Sequence, residues 1–224
     1  MTDNGQMSGP TRYQLTFTKG EGVKYISHLD LMRVFERAMR RADLPLDYSL
    51  GFNPRPKLSI AAPAAVGLTA EAELMDINLT RPVGMDDLAR SLNNSLPAAI
   101  RILAVGPLDL AAPSFQSLVT AAEYRVTVYA SESREEITNR ISEMMAQEQI
   151  IRTRQRKDGV KEYDLRPLVR GVEVEGCEAG KSYLKMDLAN GPQGSGRPEE
   201  VVLALGLPAL PIDIIRTRLV LSNK

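Results

Sequence analysis

Arg12-Tyr13-Gln14-Leu15-Thr16-Phe17-Thr18 alternates polar and apolar side chains, which is the period of a half-buried strand. A glycine-containing turn at Gly20-Glu21-Gly22 follows, and the period then changes to that of a helix. Over residues 28–42, Leu31, Phe35, Ala38 and Ala42 recur on one face, while Arg33, Arg37, Arg40 and Arg41 fall on the opposite side. Ser27 stands at the expected N-cap, and Asp30 three residues later makes a close relative of the capping box. Outward from this pair, residues 46–49, 57–62 and 72–80 read as strands, 86–96 as a second helix ended by Pro97, and 100–108 as a closing strand. Gly51-Phe52-Asn53-Pro54-Arg55-Pro56 is a loop, because its prolines and glycine exclude regular helix. The order strand, helix, strand, strand, helix, strand is the split βαβ, ferredoxin-like plan, with an additional strand near the loop.

A second pass begins near Ala121, where Tyr124-Arg125-Val126-Thr127-Val128 repeats the spacing of Tyr13-Gln14-Leu15-Thr16-Phe17. Residues 133–147 predict a helix, 150–165 a hairpin turning at Asp158-Gly159, 183–189 a strand, 198–206 a helix and 212–221 a last strand. The expectation is an α+β chain of two ferredoxin-like (βαββαβ) halves, one over residues 11–108 and the other over 121–224. Residues 109–120, with Pro113 and small or polar neighbours, form the expected linker.

Lys and Arg number 28 and so do Asp and Glu, so the surface as a whole cannot act as a polyanion-attracting field, and any such site must be local. One cysteine, Cys177, excludes an internal disulfide framework, and with the single His28 it leaves no four-ligand Cys/His zinc site and no iron–sulfur cluster held by this chain alone. A reducing cytoplasm is the expected compartment. Residues 1–10 are polar and read as a loose tail, not a signal peptide, and no run approaches the roughly 18 apolar residues of a membrane span.

Within this frame His28 is the one side chain of a type that ordinarily titrates near neutrality, and it stands at a helix start behind Ser27. It is a candidate general acid or base, or else a histidine that ties a loop to the helix. In the loop, Arg55 and Lys57 project from a stretch stiffened by Pro54 and Pro56, and Phe52 offers an aromatic face; phosphate contact and base stacking side by side would suit RNA. The alternative is that Phe52 plugs the core. The helical stripe Arg33, Arg37, Arg40 and Arg41 is either a row of phosphate contacts or a solvated face paired with Glu36 and Asp43. A second basic group joins it: Arg152, Arg154 and Arg156 alternate along one strand face, with Lys157, Lys161, Arg166 and Arg170 nearby. Glu71, Glu73 and Asp76 read as an exposed acidic strand edge, or as two carboxylates on one strand face for acid–base work or Mg²⁺. Gly191-Pro192-Gln193-Gly194-Ser195-Gly196 lacks the Lys-Ser/Thr ending of a P-loop and reads as a connection, and Cys177 reads as an ordinary thiol.

Tyr25-Ile26-Ser27-His28-Leu29-Asp30-Leu31-Met32-Arg33, followed by Gly51-Phe52-Asn53-Pro54-Arg55-Pro56-Lys57-Leu58-Ser59, resembles the signature of the radical-SAM-linked protein family of bacteria. The resemblance extends through Met75-Asp76-Ile77, Asp164-Leu165-Arg166-Pro167 and Gly196-Arg197-Pro198-Glu199-Glu200, and departs at Ala61-Ala62-Pro63-Ala64-Ala65, where larger apolar residues are expected. It implies a partnership with a radical-SAM, cobalamin-binding protein. Such a cluster needs three cysteine thiolates, so the radical chemistry would belong to the partner and no cofactor to this chain. The leading expectation is an accessory protein that binds RNA or presents an RNA substrate. Two alternatives stand beside it: a metal-independent endoribonuclease resembling the CRISPR repeat-processing enzymes, and a protein-only adaptor.

Overall fold

A computed structural model describes residues 9–156, 159–191, 194–207 and 210–222, and the chain divides into two compact units, Met1–Leu118 and Val119–Lys224. The first contains β1 (Thr11–Lys19), α1 (His28–Arg41), β2 (Leu58–Ile60), β3 (Thr69–Leu79), α2 (Met85–Ser95), β4 (Ile102–Leu108) and a short α3 (Phe115–Leu118). Its strands lie in the order β4-β1-β3-β2, every neighbour antiparallel. The alternation in β1 sends Tyr13, Leu15 and Phe17 into the core, where Phe17 meets Phe35 of α1 edge-on at 4.8 Å between ring centroids. Leu31, Phe35, Ala38 and Met39 are the buried face of α1; Ala42, expected there, is the C-cap instead. The Tyr13 hydroxyl donates to Val83 O at 2.8 Å and accepts from Val83 N at 3.0 Å, so the loop before α2 is tied to β1.

Two readings are corrected in this unit. The strand expected at 46–49 reduces to two isolated bridges, Leu46 to Leu79 and Tyr48 to Pro56, because the segment facing it carries Pro54 and Pro56, which have no N–H for a ladder. Within residues 109–120, α3 buries Phe115, and Arg12 Nη1 donates to Ala112 O at 2.6 Å. The acidic strand edge is largely interior, with Glu73 1% and Asp76 6% exposed, and Asp76 faces Arg12. The small residues at the departure from the expected pattern are accommodated by burial of Ala61 and Ala62.

The second unit contains β5 (Val119–Tyr129), α4 (Arg134–Ala146), β6 (Ile151–Arg156), β7 (Gly159–Asp164), β8 (Val169–Glu178), β9 (Lys181–Gly191), β10 (Gly194–Ser195), α5 (Pro198–Ala204) and β11 (Asp213–Leu221). β11-β5-β9-β8 is an antiparallel run, and β10 pairs with the end of β9. β6 and β7 stand apart as a two-stranded hairpin whose turn, Lys157-Asp158, lies outside the described residues. β8 escaped the sequence reading. Val169, Val172 and Val174 are its buried residues, but the ladder shifts register at Gly171 and again at Gly176, so the two-residue period is broken twice in ten residues.

α4 begins with a full capping box: Ser133 Oγ accepts from Glu136 N at 3.2 Å, and Glu136 Oε2 accepts from Ser133 N at 2.7 Å. Ser133→Ala is expected to lower stability by about 1 kcal/mol, read from the shift of the urea unfolding midpoint. The Ser133 backbone amide, then its hydroxyl, hold the Glu136 carboxyl below its ordinary value. A group depressed in this way stabilises the fold above the unfolded carboxylate's value, and its contribution fades as pH falls through the lowered one.

Candidate nucleic-acid interface

Residues from the segments 25–33 and 51–59 of the first unit converge. Ser27 caps α1 from extended backbone, its hydroxyl accepting from Asp30 N at 3.1 Å and donating to Asp30 Oδ2 at 2.7 Å. Asp30 also holds Arg33 at 2.9 Å, and its carboxyl is lowered by the Ser27 hydroxyl first and by Arg33 second. One turn of well-capped helix thus fixes the orientation of His28, which is partly buried and whose Nδ1 is buried with no hydrogen-bond partner. His28, Leu29, Met32, Arg33 and Glu36 from α1 and Arg55, Pro56 and Leu58 from the following loop line a cleft of 570 Å³.

The loop itself is closed at its base. Ser49 N donates to Arg55 O at 2.9 Å, Arg55 N donates to Ser49 Oγ at 3.1 Å, and Lys57 Nζ pairs with Asp47 at 2.8 Å. Gly51 supplies the left-handed φ of 127° that the turn requires. These bonds leave the tip projecting: Leu50 is 99% and Phe52 106% exposed, so Phe52 is not a core plug. Tyr25 and Leu29, at 75% and 64%, add further exposed apolar area near the start of α1. Exposure of this many large apolar side chains in short segments is the informative observation, since single exposed ones are ordinary.

The cations fall into distinct roles. Arg33, Arg37, Arg40 and Arg41 are all exposed, but Arg33 is held by Asp30, and Arg41 donates to Ser95 O and so ties α1 to the end of α2. Among the described residues no acidic side chain pairs with Arg37, Arg40 or Arg55. In the second unit Arg152 is bound to Glu200 at 2.9 Å, and Arg166 donates to Met145 O and Val169 O at 3.1 Å each, which anchors the segment between β7 and β8. Arg154 lies over the ring of Tyr163 at 5.1 Å. Arg156 has its backbone in β6; its side chain, like Lys157, lies outside what is described. Tyr163 was not singled out by sequence, and Glu200 was quoted only within the resemblance, without a role. The only signal available was β-register, which places Tyr163 opposite Arg152 across the hairpin.

Among the described residues, no three His, Cys, Asp or Glu side chains are grouped so as to hold a metal ion, and no helix is long and apolar enough to cross a membrane.

Residues 12–198 match the model of a family described as "Uncharacterized protein conserved in bacteria" (DUF2344). No curated protein matches. Solved structures with similarity include a Cbf5-Nop10-Gar1 complex, 12% identical, covering 95% of this chain and 49% of the other at a TM-score of 0.49. The archaeal box H/ACA sRNP Nop10-Cbf5 complex is 13% identical, covering 95% and 48%, with a TM-score of 0.45. The chain therefore spans about half the length of these chains.

Proposed function

We propose that this chain, which belongs to the bacterial family matched over residues 12–198, binds structured RNA or presents an RNA substrate beside a radical-SAM, cobalamin-binding enzyme in the cytoplasm. The observation that carries the reading is the fully exposed Phe52 on the loop that also contributes Arg55 to a cleft shared with Arg33. Unpaired RNA bases stack on aromatic faces, and nearby cations take the flanking phosphates. Arg37, Arg40 and Lys57 extend the basic surface of the same unit. Each unit's strand–helix–strand–strand–helix–strand course, with its last strand beside its first, supports a ferredoxin-like plan for both halves, 11–108 and 121–224, with β6 and β7 inserted in the second. The partner is inferred from the resemblance of residues 25–33 and 51–59 to the radical-SAM-linked family, and one cysteine requires that the partner hold the cluster.

Salt dependence tests the interface. Wild-type chain at low salt is expected to retain RNA above an acidic control protein, and Arg37→Glu with Arg55→Glu is expected to weaken binding and reduce the log–log salt slope by about one per lost phosphate contact. No retention by the wild type would leave the protein-only adaptor in its place.

A second reading has an observation of its own: His28 and Arg55 line one cleft, and His28 Nδ1 has no intramolecular partner. In a metal-independent endoribonuclease His28 would be the general base or acid, and Arg55 or Lys57 would stabilise the phosphorane, whose negative charge lies on its oxygens. Such an enzyme would cut RNA in EDTA and lose roughly 10²- to 10⁴-fold of that rate in His28→Ala at unchanged melting temperature. The expected result is that no cleavage is found and that His28→Ala lowers the melting temperature.

A further inference from the structure

The second unit holds a cavity of 230 Å³ lined by Arg154, Lys161, Tyr163, Asp164, Pro167, Leu168, Gly194 and Ser195. This is smaller than the roughly 300–1,000 Å³ of sites that enclose a whole drug-sized ligand, so it suits one functional group, not an entire nucleotide. Its walls are closely built. A Cβ on Gly196 would stand 2.9 Å from Leu168 O, and one on Gly194 would stand 3.2 Å from Leu168 Cδ2, so glycine lets the 194–196 segment lie against Leu168.

Arg154 is the group that needs an explanation. Its Nε and Nη2 are both buried and have no hydrogen-bond partner, and these two atoms form the side-on edge of the guanidinium that takes an oxyanion bidentately. The cation is held in place by the face of Tyr163, 5.1 Å from the ring centroid. The Tyr163 hydroxyl is also buried without a partner; burial first and Glu200 second push its pKa up, so it remains a neutral donor near pH 7. The acidic groups nearby are engaged elsewhere. Asp164 Oδ1 accepts from Ile150 N at 2.8 Å and Arg166 N at 2.9 Å, and Glu200 holds Arg152. Ser195 donates to Asn190 Oδ1. Lys161 is exposed on β7 and supplies a second positive charge at the rim, with Arg197 also exposed nearby in sequence to α5.

We infer that this cavity binds the phosphate group of a small ligand, with two oxygens on the Nε/Nη2 edge of Arg154 and further contacts from Lys161 and the Tyr163 hydroxyl. A carboxylate would satisfy the guanidinium edge alone; the additional donors call for the third oxygen of a phosphate. This site belongs to the second unit, whereas the proposed RNA surface is built from residues of the first.

The test is an NMR titration of the full chain with inorganic phosphate, following the Arg154 side-chain Nε–Hε signal and the β6 and β7 amides. Saturable shifts are expected, with acetate at equal concentration having little effect. Arg154→Lys keeps the charge but removes the fork and should weaken phosphate binding roughly tenfold or more. Tyr163→Phe, which deletes only the hydroxyl and retains the ring, should weaken it several-fold, and this variant carries the test if Arg154→Lys does not fold. RNA retention should be unchanged in Tyr163→Phe, so that failure of this site and failure of the RNA reading are seen separately. Unshifted Arg154 signals, equal response to acetate, or a Tyr163→Phe variant that binds phosphate as the wild type does and loses RNA instead would each overturn the assignment.

Discussion

Asp76→Ala is expected to lower stability by about 3–5 kcal/mol, the cost of leaving one charge of a buried pair uncompensated. Arg12 and Asp76 are 7% and 6% exposed, and Arg12 meets Asp76 Oδ2 through Nε at 3.1 Å and Nη2 at 3.0 Å. Its Nη1 donates to Ala112 O, so the same guanidinium joins β1, β3 and the segment before α3. Removing the carboxylate strands a cation that cannot reach bulk water without disturbing all three. Asp76→Asn retains an acceptor and should lose less. Arg90→Ala is the control: its pair with Asp87 leaves both side chains about two-thirds exposed, at 69% and 66%, and a pair in that setting is worth about 0–1 kcal/mol. Urea unfolding midpoints of the three variants decide the matter. Near-equal losses for Asp76→Ala and Arg90→Ala would mean that the Arg12 guanidinium finds solvent after all.

Why Asp76 was misread from the sequence shows where such reading stops. Glu71, Glu73 and Asp76 belong to one acidic-looking strand, yet only Glu71 is exposed, because the cation opposite Asp76 lies 64 positions away and no local pattern announces it. Where the determining forces are local, the sequence was legible. The alternation of Tyr13, Leu15 and Phe17, the spacing of Leu31 and Phe35, and the Ser27 cap all describe interactions within a few residues, and each is found in the structure. β8 was lost because Gly171 and Gly176 interrupt its period at two register shifts. The arginines show the same limit at the level of the site. Arg152, Arg154 and Arg166 look alike in sequence, but one is bound to Glu200, one lies on Tyr163 and one is consumed by two backbone carbonyls. Charge counting cannot separate these, since each partner is supplied by another element or by the opposite strand.

Phe52→Ala is expected to reduce RNA affinity by about 1–3 kcal/mol, roughly 5- to 150-fold, while leaving the melting temperature unchanged. The separation of the two effects follows from the geometry. A side chain that is 106% exposed buries nothing in the free protein, so its removal creates no cavity, and the backbone bonds between Ser49 and Arg55 that shape the loop do not involve its ring. Any loss must then arise in the complex, where the ring would cover a base. Phe52→Tyr keeps the stacking face and should retain most of the affinity, whereas Arg55→Ala should lose less than Phe52→Ala and lose it mainly at low salt, since a phosphate contact is screened and a stacked base is not. Leu50→Ala, at the same exposed tip but without a π-face, distinguishes stacking from general apolar contact. If Leu50→Ala weakens RNA retention as much as Phe52→Ala does, the tip does not act as a stacking platform. If neither change affects RNA but both abolish capture of the proposed radical-SAM partner, the exposed tip is a protein-docking surface and the RNA is held elsewhere on the chain.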